Sequence, residues 1–190
     1  MAFQLPRLSR TVIISPQYCA THPVHLTITR NRNILGDSFI IKDINHNVVF
    51  TVKSNVAILT PYQNRFLFDA NGNRILHLRK SLLNDCWKAF RGEISTQSNL
   101  IFTRKRSSLL MLWTKFDVFL KNNNTGVCDF TVKGNLFGGS LNVYIGKSNN
   151  VVAQINKKFD TVFSRQKFMV TVCPNMDYAF IAALIVTLDY

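Results

Sequence analysis

The chain has 190 residues, 47% of them hydrophobic, 12% aromatic and 17% charged, with 23 Lys and Arg against 10 Asp and Glu for a formal charge of +13. That length can bury a full core as one domain of ordinary size or one larger all-β domain. Fifteen Phe and aliphatics spread along the whole chain exclude disorder, and eight Gly with five Pro exclude a collagen-like or linker chain.

Residues 1–10 lack the apolar core of a secretory leader and read as a flexible segment at the start of a single domain over 1–190. Ala2 stands where myristoylation needs glycine, and the terminal Leu188-Asp189-Tyr190 offers no prenylation cysteine. Cys19, Cys86, Cys128 and Cys173 are far apart, with no C-x-x-C pair, so neither a zinc knuckle nor a redox motif is written. The expected location is intracellular: cytoplasm, the face of a membrane, or the nucleus.

From Thr11 to Val172 apolar residues recur with period two. Val24, Leu26 and Ile28 alternate with His25, Thr27 and Thr29, which puts three apolar side chains on one face of a strand. Similar runs follow at 39–41, 48–52, 65–68, 75–78, 87–90, 100–103, 116–120, 127–132, 141–145, 151–155 and 168–172. With a first run at 12–14 they predict roughly a dozen strands and no amphipathic helix before residue 174. Asn, Asp and Gly cluster between the runs, as at Asp43-Ile-Asn-His-Asn47 and Asp69-Ala-Asn-Gly-Asn73, and these residues tolerate the positive φ of tight turns. The clusters recur about every 26 residues, the length of two strands and two turns, which fits either an internal duplication or a plain meander of hairpins.

The tail departs from this pattern. Asn175 predicts an N-cap, Asp177 complements the helix dipole, and Tyr178 to Leu188 is apolar on every side. Tyr178, Phe180, Ile181, Leu184, Ile185 and Leu188 are its bulky members. An all-round apolar helix must be buried on every side, and this one is about half the ~20 residues a bilayer span requires. It is therefore expected to fill a core. A barrel of more than about eight strands leaves interior space, and a helix ~10–12 Å across fills it. The fold expected is all-β with one buried C-terminal helix: a roughly twelve-stranded antiparallel closed barrel around that helix. A β-sandwich with the helix across one end fits less well, because one helix side would face water.

The segments Ser15-Pro-Gln-Tyr-Cys-Ala-Thr-His-Pro-Val-His-Leu-Thr-Ile-Thr-Arg30, Phe68-Asp-Ala-Asn-Gly-Asn73, Trp87-Lys-Ala-Phe-Arg-Gly92 and Val170-Thr-Val-Cys-Pro-Asn-Met-Asp-Tyr-Ala-Phe-Ile-Ala-Ala-Leu-Ile-Val186 resemble the plant LURP-one-related family. The resemblance implies the tubby C-terminal-like fold, a twelve-stranded barrel around a hydrophobic helix shared with phospholipid scramblases and tubby proteins. It also implies a place in plant defence and a relation to membrane-tethered transcription regulators, but no reaction. Tubby proteins bind phosphoinositides through basic residues on the barrel; no binding residue carries over to a matched position here. The calcium-binding and membrane-spanning features of scramblases have no counterpart in this sequence.

Catalysis finds little support in the residues themselves. Glu93 is the one glutamate, and most aspartates fall at turns. His22 and His25 lie three apart in a strand-like stretch, hence on opposite faces, which argues against joint metal ligation. Gly134-Asn-Leu-Phe-Gly-Gly139 leads into a strand and reads as a turn or bulge, not a phosphate cradle. Cys86 beside Trp87 has only Lys88 nearby in sequence to lower its pKa. No enzymatic activity, metal or cofactor is expected.

The charge is the strongest functional signal, because clustered Lys and Arg create a positive field that attracts polyanions. Arg104 and Arg106, like Arg30 and Arg32, are spaced by two, so in extended chain each pair points to one side and can converge on a phosphate. Arg79, Lys80, Arg104, Lys105, Arg106, Lys157 and Lys158 are the candidate anion- or lipid-binding residues of the barrel exterior. The plainer reading is that strand-end cations keep an apolar barrel soluble and block edge pairing. Three functions compete: a non-catalytic module on anionic membrane lipid or phosphoinositide, a nucleic-acid-binding or transcriptional protein, and a scaffold for a protein partner. Specific reading of nucleic acid lacks a helix to enter a groove. Ser107 and Ser108, beside the basic triplet, are candidate phosphorylation sites that would cancel its charge.

Overall fold

In the computed structural model the residues described are 9–32, 36–55, 62–81, 83–107, 114–135, 139–160 and 165–188. Most of the expected flexible segment, Ser108, and the middle of the 134–139 glycine stretch lie outside them. Twelve strands follow one another: β1 (Val24–Asn31), β2 (Ser38–Lys42), β3 (Val48–Asn55), β4 (Tyr62–Asp69), β5 (Arg74–Ser81), β6 (Cys86–Arg91), β7 (Leu100–Arg106), β8 (Thr114–Leu120), β9 (Phe130–Asn135), β10 (Ser140–Ile145), β11 (Val151–Asp160) and β12 (Arg165–Val172). Each pairs with its sequence neighbours, and β1 pairs antiparallel with β12, so the sheet closes into a barrel. Closure removes every unpaired edge that twelve apolar strands would otherwise expose. It also excludes the sandwich.

The helix α1 (Tyr178–Ile185) fills the interior, with Ala179 to Ile185 buried among the inward side chains of the strands. Phe180 meets the rings of Phe102 and Phe130, with centroids 5.2 and 5.0 Å away. The helix is shorter than the apolar run. It ends at Ile185, and Leu188 is buried just beyond it. The cap also differs from expectation: Asp177 is the N-cap and accepts from the Phe180 amide at 3.0 Å, while Asn175 adopts a φ of +63° in the turn that swings the chain from β12 into the barrel. The barrel thus has an entry end, where α1 begins, and an exit end, where it stops.

Residues 12–14, expected as a strand, instead form part of a strap across the entry end. The amides of Ile13, Ile14 and Ser15 converge on Asp177 Oδ2 at 3.2, 2.6 and 3.1 Å. One buried carboxylate therefore caps the helix and fastens the strap. At the same end, Asp43 and Asp69 build the same turn: the Oδ1 of each accepts from the amides two and four residues on, at 2.8–2.9 Å. His46 (φ +65°) and Gly72 (φ +84°) take the matching left-handed position.

Candidate functional site

Strand parity divides the expected basic residues into two groups. On β7, Leu100, Phe102 and Arg104 share the inward face, and Arg104 is 0% exposed. It lies over the Phe116 ring at 4.2 Å and donates to Asp85 Oδ1 at 3.0 Å and to the Thr187 carbonyl. Its placement on the barrel exterior is therefore corrected: alternation with Phe102 turns it into the core. Lys80, on the inward face of β5, and Arg106, at the exit rim, each come within 3.9 Å of the same Asp85. Lys80, Arg104 and Arg106 thus gather round a half-buried carboxylate at the exit rim, and Arg104 cannot reach an outside ligand.

Arg65, on β4 and on the other side of Trp87 from Arg104, is 1% exposed. It lies between Phe39 and Trp87, 5.3 and 4.6 Å from the two ring centroids. Its guanidinium donates to the Val186 carbonyl and pairs with Asp37 at 3.3 Å, and Asp37 also holds Arg30. The last carbonyls of a helix have no partner within it and carry the negative end of its dipole. The turn after α1 takes the carbonyls of Ala182, Leu184 and Ile185, and two buried guanidinium groups take the next two, of Val186 and Thr187. The Arg–Asp pairs then neutralise the cations in turn. Lys157 faces inward beside this rim, opposite Phe168. Burial pushes its ammonium below the ordinary lysine range, with Arg32 and Arg30 adding to the shift.

Arg79, Lys105 and Lys158 do face outward. They belong to a basic outer wall that runs round the barrel, with like charges directly opposite one another across strands at three separate places: Arg79 with Lys88, Lys115 with Lys133 and Lys158 with Lys167. Among the described residues Lys88, Lys158 and Lys167 make no ion pair, and Arg79 rests instead on the rings of Tyr62 and Phe90. Lys115 has Asp117 at 3.8 Å. Next to the Lys158–Lys167 pair, a groove of about 250 Å³ runs over Thr27 and Thr29 between Lys42, His46 and Lys167.

A family model described as LURP-one-related matches residues 24–189. The chain belongs to the LURP-one-related family. It is 43% identical to the Arabidopsis thaliana protein LURP-one-related 15 over 94% of this chain and 84% of that one. Identity to LURP-one-related 10 of the same plant is 42%, over 93% and 94%, and to protein LURP1 it is 38%, over 93% and 88%. A crystal structure of an Arabidopsis thaliana protein superposes with a TM-score of 0.74 at 39% identity, covering 94% of this chain and 96% of that one. The LURP-one-related barrel has no helix long and apolar enough to cross a membrane among its described residues. Nor does it gather three potential metal ligands among them. Cys86 is not an activated thiol: burial pushes it up, against the opposing pull of Lys105, Lys88 and Arg104.

Proposed function

We propose that this LURP-one-related protein is a non-catalytic module of plant defence that holds anionic phospholipid headgroups, phosphoinositides above all, against its outer basic wall. The observation that carries this reading is the set of directly opposed cation pairs on that wall. Like charges facing across an antiparallel ladder destabilise a sheet, and a shared phosphate between them turns that repulsion into attraction. The groove between Lys42 and Lys167 gives one headgroup a seat beside the Lys158–Lys167 pair. Each basic residue near an anionic leaflet contributes ~1 kcal/mol; the Lys158–Lys167 pair with Lys42 beside it brings three to one side of the barrel, enough for weak, reversible docking. A binding role also fits carboxylates engaged in turns and internal ion pairs.

Sedimentation with phosphatidylcholine vesicles, with and without phosphoinositide, tests this. The wild-type chain is expected to follow only the anionic vesicles, and Lys158→Glu with Lys167→Glu to weaken that at least roughly tenfold, the equivalent of ~1.4 kcal/mol. Arg104→Glu is unsuitable, because it breaks the core. No sedimentation with any anionic vesicle overturns the proposal. So does tighter binding to duplex DNA in a parallel salt titration, which favours the nucleic-acid reading.

A further inference from the structure

At the entry end, away from the exit rim, the strap, the β6–β7 connection and the end of β8 enclose a cleft of about 360 Å³. Ile13, Leu100, Ile101 and Leu120 give it one apolar side, Ser98, Asn99 and Asn122 a polar one, and Val12, 45% exposed, stands at its lip. Two cations border it. Arg91 donates one Nη to the Ile14 carbonyl at 2.8 Å, and Lys121 donates to the Ser98 carbonyl. Neither meets a carboxylate within ion-pair distance among the described residues, although Arg74, also near this end, is paired with Glu93 at 3.0 Å. A guanidinium has five N–H donors and an ammonium three, so a single backbone contact leaves most of them for something else. The cleft falls at the low end of the 300–1,000 Å³ typical of small-molecule sites, and its lining is about half polar, which suits an amphipathic ligand better than a purely apolar one.

We infer that this cleft binds a small amphipathic organic anion: an apolar body of one or two rings, seated on Leu100, Ile101 and Leu120, with one acidic group reaching Arg91 and Lys121. Charge complementarity selects the sign and the apolar lining selects the body. The site is independent of the basic wall and needs no lipid.

The probe is anilinonaphthalene sulfonate, whose fluorescence rises on entering an apolar site. Saturable binding to one site is expected, weakened roughly tenfold in Lys121→Ala, in line with the loss of one charge-assisted hydrogen bond. Val12→Trp should block it by filling the mouth, and the neutral phenylnaphthylamine should bind at least as weakly as the dye does to Lys121→Ala. Reversal of Lys158 and Lys167 should leave dye binding unchanged, which separates this site from the lipid-binding wall. Thermal unfolding confirms that each variant is folded; Lys121, on the surface, is not expected to alter it. Unsaturable binding, equal affinity for Lys121→Ala and wild type, or equal affinity for the neutral analogue overturns the inference.

Discussion

His77 lies 8% exposed on the outer side of β5, stacked on Phe66 at 4.7 Å, with Asn64 Oδ1 and Ser95 Oγ each 2.8 Å from a ring nitrogen. Burial depresses its pKa; a backbone contact at Glu93 opposes this, and the charges of Arg79 and Arg74 add to it. The folded state thus binds this proton less readily than the unfolded chain does. Its stabilising contribution is complete above the unfolded value of ~6.5 and is lost as pH falls from there through the depressed folded value. His77→Gln, which keeps a hydrogen-bonding side chain without the titration, should flatten that acid-side loss in urea melts at a series of pH values. An unchanged pH slope would remove His77 as its source. Arg65 and Arg104 show how much could be read from sequence at this scale. Both were visible as basic residues on an apolar face, Arg65 in register with Leu67 and Arg104 with Phe102. That alternation implies an inward direction, and the expectation of Arg104 on the barrel exterior, drawn from its charge, fails against it. Their partners were not visible, because the carbonyls of Val186 and Thr187 lie 121 and 83 residues away in sequence.

At the scale of elements, the period-two runs located the strands well, since one face of each is buried and a shift of one residue would turn it outward. The short run at 12–14 failed because three apolar residues also suit a strap packed over a core. The expected cap failed for a related reason. Asn175 satisfies local capping rules, but Asp177 satisfies the helix and the strap together, a preference that arises only once both are in place. Asp177→Asn tests that double role. A single amide oxygen can serve either the Phe180 amide or the three strap amides, and its NH2 group faces donors wherever it points. Leaving buried donors unpaired costs ~1–3 kcal/mol each, and a lost cap about 1 kcal/mol. A loss of at least ~3 kcal/mol in urea denaturation is expected. A change under ~0.5 kcal/mol would mean that the strap contributes little to holding the helix in place.

Across the whole molecule, charge is distributed unevenly. Asp43, Asp69, Glu93, Asp129 and Asp177 lie at the entry end, while Asp37 and Asp85 at the exit end are already engaged by Arg30, Arg65, Lys80, Arg104 and Arg106. The +13 total is thus expressed on the wall, where Asp117 meets Lys115, on the exit rim, and at the entry end through Arg91 and Lys121. Composition made that excess plain; which cations lie inside and which outside needed the barrel's register. Two explanations of the outer wall, solubility and ligand binding, predict different behaviour for Lys158. This exposed residue faces Lys167 with no carboxylate partner among the described residues. Lys158→Thr relieves that repulsion and places a β-branched residue in a strand, and both changes favour folding. A gain of ~0.5 kcal/mol is expected, or ~1–2 °C in Tm for a domain of this size. If the wall binds anionic headgroups, the same substitution must weaken vesicle binding, so stability and affinity move in opposite directions, as they do where function holds a fold below its optimum. Raising the salt concentration screens the exposed pair and should shrink the stability difference between variant and wild type. A gain in stability with vesicle affinity unchanged would show that Lys158 serves the surface alone.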